Sequence, residues 1–153
     1  MRALTTTFAL SLMLALAGPA AAAPLAPQDA AAAVPANVIQ VVSGGTWEDG
    51  GKKGTYRAIM VAPASPAEGA QIFLQWLAAG KDPGTVEVAS VVALQKINDM
   101  KLPDAFLSMD FEKSNEVMLY VQPYDPAKES DQSFTVTATL PGKLSIEQGA
   151  APE

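Results

Sequence analysis

Residues 44–57, with the sequence GGTWEDGGKKGTYR, decide the fold of this chain. The stretch contains five glycines, an acidic pair, a basic pair and two large aromatic side chains. Glycine readily adopts the positive φ angles that a tight chain reversal needs. Runs of branched apolar residues flank the stretch at 38–42 and 58–62. We therefore predict a β-hairpin in which Trp47 and Tyr56 flank the turn and can meet across the strands.

Short apolar segments separated by turn sequences make up most of the remaining chain. Residues 71–77 are predicted to pair with 85–92 as a hairpin, and a helix over 66–79 is the alternative. The other predicted strands are 37–43, 55–62, 106–111, 117–122, 134–140 and 144–146. Seven or eight short strands indicate an all-β fold, a small antiparallel β-sandwich of the Ig-like or jelly-roll-like kind. A small closed β-barrel is the alternative.

The N-terminus predicts export. Arg2 precedes an apolar run at 8–17 and then Ala20-Ala21-Ala22, which is the layout of a secretory signal peptide. The apolar run is shorter than the roughly 20 residues that span a bilayer as a helix. With no cysteine in the chain to carry a lipid, we expect a soluble periplasmic or secreted protein, with no membrane insertion after signal cleavage.

The same signals divide the chain into four parts. The predicted parts are a signal peptide at 1–22, an alanine- and proline-rich extended linker at 23–36, a β-sandwich domain at 37–148 and a C-terminal tail at 149–153. The absence of cysteine also excludes disulfides, so the domain must depend on its apolar core.

The absence of two residue types from the sequence limits the catalytic and metal-binding chemistry that this chain can perform. The chain has no histidine and no cysteine, which excludes Ser-His-Asp and Cys-His nucleophiles and metal sites built on nitrogen or sulfur ligands. Its 16 acidic and 10 basic side chains give a net charge of -6, so nucleic acid is not an expected partner. We therefore predict a protein that is not an enzyme and has no cofactor.

Carboxylates are the chemistry that remains. Asp110 and Glu112 lie two residues apart in a predicted strand, and a carboxylate pair on one face is the minimum for glycoside hydrolysis. A solvated hairpin end is the simpler interpretation of this pair. Asp125, Glu129 and Asp131 are weak candidates for calcium ligands, because their loop lacks the spacing of a dedicated calcium-binding loop.

Gly45-Thr46-Trp47 resembles the Gly-x-Trp motif that opens the first strand of avidins and lipocalins. Those families are small barrels that hold one apolar or ring-shaped ligand. The resemblance covers only these few residues, and it implies a small-ligand-binding β-barrel as an alternative function.

The preferred function is a non-enzymatic protein that binds a protein or glycan partner through a loop end or a sheet edge. The proposed contact residues lie in the opening stretch: Trp47, Lys52, Lys53, Tyr56 and Arg57. The three basic residues form a cluster on an acidic chain, and they are expected to steer an anionic partner.

Processing is expected between Ala22 and Ala23. That bond has small residues at both recognition positions and is not followed directly by Pro24, which signal peptidases tolerate poorly after the cut. The intact mass of the exported protein measures this directly. A retained leader, or a mature chain that begins at or before residue 18, would contradict the assignment.

Overall fold

Eight β-strands form two four-stranded antiparallel sheets in the computed structural model, which describes residues 27–65, 67–82, 84–124 and 132–150. Sheet A contains β1 (Val38–Asp49), β2 (Lys52–Val61), β3 (Gln71–Ala79) and β4 (Val86–Ala93). Sheet B contains β5 (Asp104–Asp110), β6 (Val117–Tyr124), β7 (Gln132–Ala138) and β8 (Leu144–Ala150). Two short helices, α1 (Pro27–Ala32) and α2 (Gln95–Asn98), complete the described elements.

This architecture confirms the predicted all-β sandwich and corrects its finer description. The strands of each sheet are ordered as they occur in the chain, β1-β2-β3-β4 and β5-β6-β7-β8. Ig-like and jelly-roll sandwiches use Greek-key connections, which this order does not contain. The alternative of a closed barrel is wrong, because the two sheets remain separate. Residues 71–79 form a strand, so the helix alternative there is also wrong.

The opening stretch is a β-hairpin, as predicted. Gly50 and Gly51, with φ values of 57° and 79°, form the two-residue turn between β1 and β2. Positive φ at both positions is the type I′ geometry, whose twist matches that of paired strands. The strands therefore run through the glycine-rich sequence, further than the predicted limits of 43 and 55.

A β-bulge at Gly45 sets which side of the sheet Trp47 occupies. Gly44 lies opposite Tyr56 and Trp47 lies opposite Gly54, so two residues of β1 face one residue of β2 between these pairs. Gly45 has a φ of 64°, the conformation of a glycine bulge. Inward positions on β1 are even-numbered before the bulge, and the extra residue turns Trp47 into the core.

Two carboxamide side chains, one on β1 and one on α2, each form a pair of hydrogen bonds with the backbone of one residue. A neighbouring strand would make the same kind of pair. The Nε2 of Gln40 donates to the Leu107 carbonyl oxygen, and its Oε1 accepts from the Leu107 N–H, both at 3.1 Å. This carboxamide links β1 of sheet A to the edge strand β5 of sheet B. Asn98 in α2 makes the same pair of contacts with Ile72 on β3, at 2.9 and 3.1 Å.

The segment before β1 differs from its predicted form. Residues 23–36 were expected to be extended, but Pro27–Ala32 form the helix α1. Alanine has the highest helix propensity, and proline at the first position together with Asp29 in the first turn favours a helix start. The predicted signal peptide at 1–22 lies outside the described residues. At the other end, β8 continues past the predicted domain limit of residue 148.

Replacing Gln40 with methionine tests the link between the sheets. The side chain keeps its length but loses both contacts with Leu107, so we expect the free energy of unfolding to fall by about 1–3 kcal/mol. Urea denaturation measures the change. Gln148→Met is the matched control, since Gln148 is exposed on β8, and its effect should stay within about 0.5 kcal/mol. Equal losses of unfolding free energy in both variants would show that Gln40 does not bridge the two sheets.

Candidate functional site

The two aromatic residues of the predicted contact set lie in the core. Trp47 and Tyr56 are almost completely buried between the sheets. The Nε1 of Trp47 donates to the carbonyl oxygen of Thr55 at 3.2 Å, within its own hairpin. They also do not form a cross-strand pair, because the bulge places each opposite a glycine. Their burial leaves almost no ring surface for a partner, which fits a role in holding the hairpin on the core.

Tyr56 packs instead against Trp76 of β3. The ring centroids are 6.1 Å apart in an edge-to-face arrangement. The Tyr56 hydroxyl and the Trp76 Nε1 both donate to the carbonyl oxygen of Thr139, at 2.9 and 2.8 Å. Thr139 directly follows β7, so these two side chains of sheet A fasten sheet B at a single acceptor.

The basic residues of the hairpin do lie at the surface, but acidic residues face them. Lys52 and Lys53 are exposed, and they are cross-strand neighbours of Asp49 and Glu48 respectively. Opposite charges on paired strands offset each other's field. The predicted basic cluster is therefore not a net positive patch, and the expected steering of an anionic partner loses its structural basis.

Arg57 has different neighbours from the two lysines. It is partly buried on the outer face of sheet A, where its Nε donates to Oε1 of Gln75 on the neighbouring strand β3 at 2.7 Å. Of the five predicted contact residues, two are thus in the core, two are at the hairpin turn and one belongs to the outer face.

A cleft of about 530 Å³ lies beside the hairpin. The loop after β5 forms one side of it, where the Asn115 N–H donates to the Thr46 carbonyl at 2.8 Å and the Asn115 Oδ1 accepts from the Glu48 N–H. Glu48 and Lys53 line the cleft with opposite charges. The cleft therefore lies where the loop between β5 and β6 of sheet B is hydrogen-bonded to β1.

The candidate carboxylates do not form a catalytic pair. β5 ends at Asp110, so Glu112 lies in the following loop and the two residues do not share a strand face as predicted. The Asp110 Oδ1 accepts a hydrogen bond from the Phe111 N–H at 2.7 Å, a local strand-end contact.

The described residues also contain no cluster of three or more acidic residues that could hold a metal ion. Asp125, Glu129 and Asp131, the weak calcium candidates, lie outside the described part of the chain. No described helix is long and apolar enough to cross a membrane.

Much of the outer face of sheet A is apolar, which the sequence did not lead us to expect, although one row across it contains the polar residues Ser43, Arg57 and Gln75 beside Val91. One row runs across all four strands as Val41, Ile59, Phe73 and Ala93, each paired with the next. We call the following residues the apolar face of sheet A: Ile39, Val41, Ile59, Val61, Phe73, Leu77, Val88 and Val91. The outer face of this sheet is therefore more apolar than the solvated face that an antiparallel sheet usually has.

The outer face of sheet B has a different character. One of its rows contains Ser108, Tyr120, Thr135 and Glu147 in register. Hydroxyl, amide and carboxylate side chains dominate this face, and aromatic rings stand among them on β5 and β6. The sandwich thus carries two unlike surfaces on its opposite sides.

The burial of Tyr56 predicts how stability changes at high pH. Burial raises the pKa of its phenol from 10.0 to about 12, and the nearby charge of Glu116 adds a smaller effect. The folded state keeps its proton where the unfolded chain loses it, so this contribution to stability is complete below pH 10 and declines as pH rises to 12. The expected slope is up to about 1.4 kcal/mol per pH unit.

Urea unfolding of the wild type and of Tyr56→Phe between pH 8 and 12 tests this prediction. The variant loses the hydrogen bond to Thr139, about 1 kcal/mol at neutral pH, but it should lack the additional alkaline decline. Parallel pH profiles would show that Tyr56 does not titrate differently in the folded chain.

Comparisons with family models, curated proteins and solved structures found no match to this chain. The candidate surfaces therefore stand on the geometry and chemistry of their own residues. The apolar face of sheet A and the aromatic and polar face of sheet B are the two surfaces that a solvated sandwich does not require.

Proposed function

We propose that this protein is a non-enzymatic, exported binding module that assembles as a dimer through the apolar face of sheet A. The observation that carries the proposal is an apolar row across all four strands on the outside of the sandwich. A second copy of the chain is the proposed occupant of this face. Export by the segment at 1–22 is part of the proposal.

Exposure of branched side chains supports a covered face. Val41 and Val91, at opposite edges of sheet A, are 48% and 51% exposed, and Ile39 is similarly open. Water contact with apolar surface is unfavourable by about 25 cal/mol per Å², so a contiguous apolar patch favours association. Val41 lies in the row that is apolar across all four strands, and Val91 ends the neighbouring row, whose other members are Ser43, Arg57 and Gln75.

The size of the face fits a protein interface. Four strands spaced about 4.8 Å apart and nine or so residues long cover roughly 550 Å² in projection. Side-chain relief makes the accessible area larger, which brings it close to the about 800 Å² per partner of a standard interface. A twisted sheet is complementary to another sheet of the same hand, and two such faces pack at about -30°.

A second copy of the chain can cover this face with its own apolar face, so no further structural element is needed. Within the described chain, the outer face of sheet B is polar and the helices are only six and four residues long, so neither can cover sheet A. Two identical faces related by a two-fold axis bury the same rows in both copies. Arg57, the charged residue among these rows, already has Gln75 as a hydrogen-bond partner, which lowers the cost of covering it.

The remaining chain is consistent with binding rather than catalysis. Histidine and cysteine are absent from the sequence, and the one carboxylate pair considered for hydrolysis is not on a common strand face. Because no closed barrel is formed, the avidin- or lipocalin-like alternative loses the cavity on which it depends.

Lysine substitutions on the face test the proposal. Sedimentation equilibrium of the wild type should show a dimer. Val41→Lys and Val91→Lys should each weaken it by about 100-fold, because each copy loses about 1.5 kcal/mol of apolar burial and the symmetric dimer contains the change twice. Thermal melts of the variants should remain close to those of the wild type at concentrations at which it is monomeric, since both positions lie outside the core and only the dimer adds stability.

Val34→Lys is the matched control, because this valine is 53% exposed but lies before β1 and outside both sheets. It should leave the dimer unchanged. A wild type that stays monomeric up to millimolar concentration, or equal weakening by all three substitutions, would overturn the proposal.

A further inference from the structure

We propose that the outer face of β5 and β6 is a binding site for a neutral oligosaccharide, with Phe106 as its stacking platform. This site is centred on sheet B, the other sheet of the sandwich, and its depression toward β1 reaches Ile39 at the edge of the apolar face of sheet A. The inference rests on separate observations and does not require the dimer.

Phe106 is the centre of the site. It is 61% exposed on the edge strand β5, although its ring is large and apolar. Depressions of about 350 and 630 Å³ lie beside it, and Phe106 belongs to the lining of both. One depression opens on the face of sheet B and the other lies toward β1, so the ring stands between two places where sugar units can lie.

Two tyrosines extend the platform along β6. Tyr124 lies opposite Asp104 and Tyr120 lies opposite Ser108, with Phe106 between these levels on β5. The alternation of the strand puts Tyr120 and Tyr124 on the same outer face as Phe106. We call these three residues the aromatic strip of sheet B. Four residues on one strand correspond to about 13 Å, so the strip matches an extended ligand better than a single ring.

The polar groups beside the strip suit a polyol. Ser108 and Gln122 line the depression on sheet B, and Asp104 lines the one toward β1. Hydroxyls and carboxamides donate and accept hydrogen bonds, and a carboxylate accepts from sugar hydroxyls. Aromatic rings offer flat apolar faces to the C–H side of a pyranose. A sugar has both C–H faces and hydroxyl groups, and the site has aromatic rings and polar side chains to match them.

Charge distinguishes among possible saccharides. Neither depression has a lysine or arginine in its lining, as far as the described residues go, and Asp104 contributes a carboxylate to the 630 Å³ depression. An acidic sugar or a phosphate would meet a like charge on a chain of net charge -6. A neutral oligosaccharide is therefore the ligand class that fits.

The Tyr120 hydroxyl can exchange its present contact for a hydrogen bond to a ligand. Its OH contacts the Sδ of Met118 at 3.7 Å. A thioether is a weak acceptor, so a sugar hydroxyl can replace it at little cost. The ring remains partly buried and fixed against the sheet, which limits the entropy lost when a ligand binds.

Titration calorimetry with defined tetrasaccharides tests the inference. The probes are cellotetraose, xylotetraose and chitotetraose, with tetragalacturonate as the anionic comparison. We expect at least one neutral tetrasaccharide to bind and the anionic one not to bind. Phe106→Ala should weaken that binding at least tenfold, while Phe106→Tyr, which keeps a ring, should retain it within about threefold.

Phe111→Ala is the matched control. Phe111 is similarly exposed, at 52%, but it follows β5 and lines neither depression, so its loss should leave the affinity unchanged. The inference is overturned if no neutral tetrasaccharide binds at millimolar concentration, if Phe106→Ala binds as the wild type does, or if the anionic probe binds equally well. These outcomes do not depend on whether Val41→Lys changes the dimer.

Discussion

The carbonyl oxygen of Thr139 is the acceptor through which two buried side chains of sheet A hold sheet B in register. It accepts from both the Tyr56 hydroxyl and the Trp76 Nε1, whose rings fill the space between the sheets. A buried aromatic with a polar tip must find a partner for that tip, since an unsatisfied donor costs about 1–3 kcal/mol. The acceptor at the end of β7 therefore fixes where sheet B can lie over sheet A. Gln40 makes the corresponding link at the other side, from β1 to β5.

With that register fixed, the two outer faces become separate surfaces with opposite chemistry. If sheet A pairs with a second copy, the result is a four-layer stack in which both B sheets face outward. The aromatic strip of each copy then lies on an opposite end of the dimer. Short saccharides would bind the two strips independently, whereas a polysaccharide long enough to reach both, or two chains bridged by one dimer, would gain from effective concentration.

Local sequence predicted much of the fold but little of the site. Turn glycines at 50 and 51 and the alternation at 134–138 identified strands and hairpins, because φ preference and side-chain periodicity are local properties. The side of the sheet taken by Trp47 was not predictable in this way. It depends on a one-residue bulge at Gly45, and such a bulge reverses inward and outward positions without changing the composition. The surroundings of the basic residues were not predictable for a similar reason, since strand register sets Lys52 and Lys53 opposite two acidic residues.

The apolar face of sheet A did leave a signal in the sequence, and its meaning follows from the comparison of the two sheets. Strand β7 alternates, with Thr135 and Thr137 placed between the buried residues Phe134, Val136 and Ala138, as expected for a sheet with one solvated side. Strand β2 instead runs Ala58-Ile59-Met60-Val61 without a polar interruption, and Ile59 and Val61 lie on the outside. Continuous apolar runs are typical of strands covered on both faces. This part of sheet A therefore has the sequence pattern of an inner sheet, and that pattern is the reason why we propose a second copy as the layer that covers it.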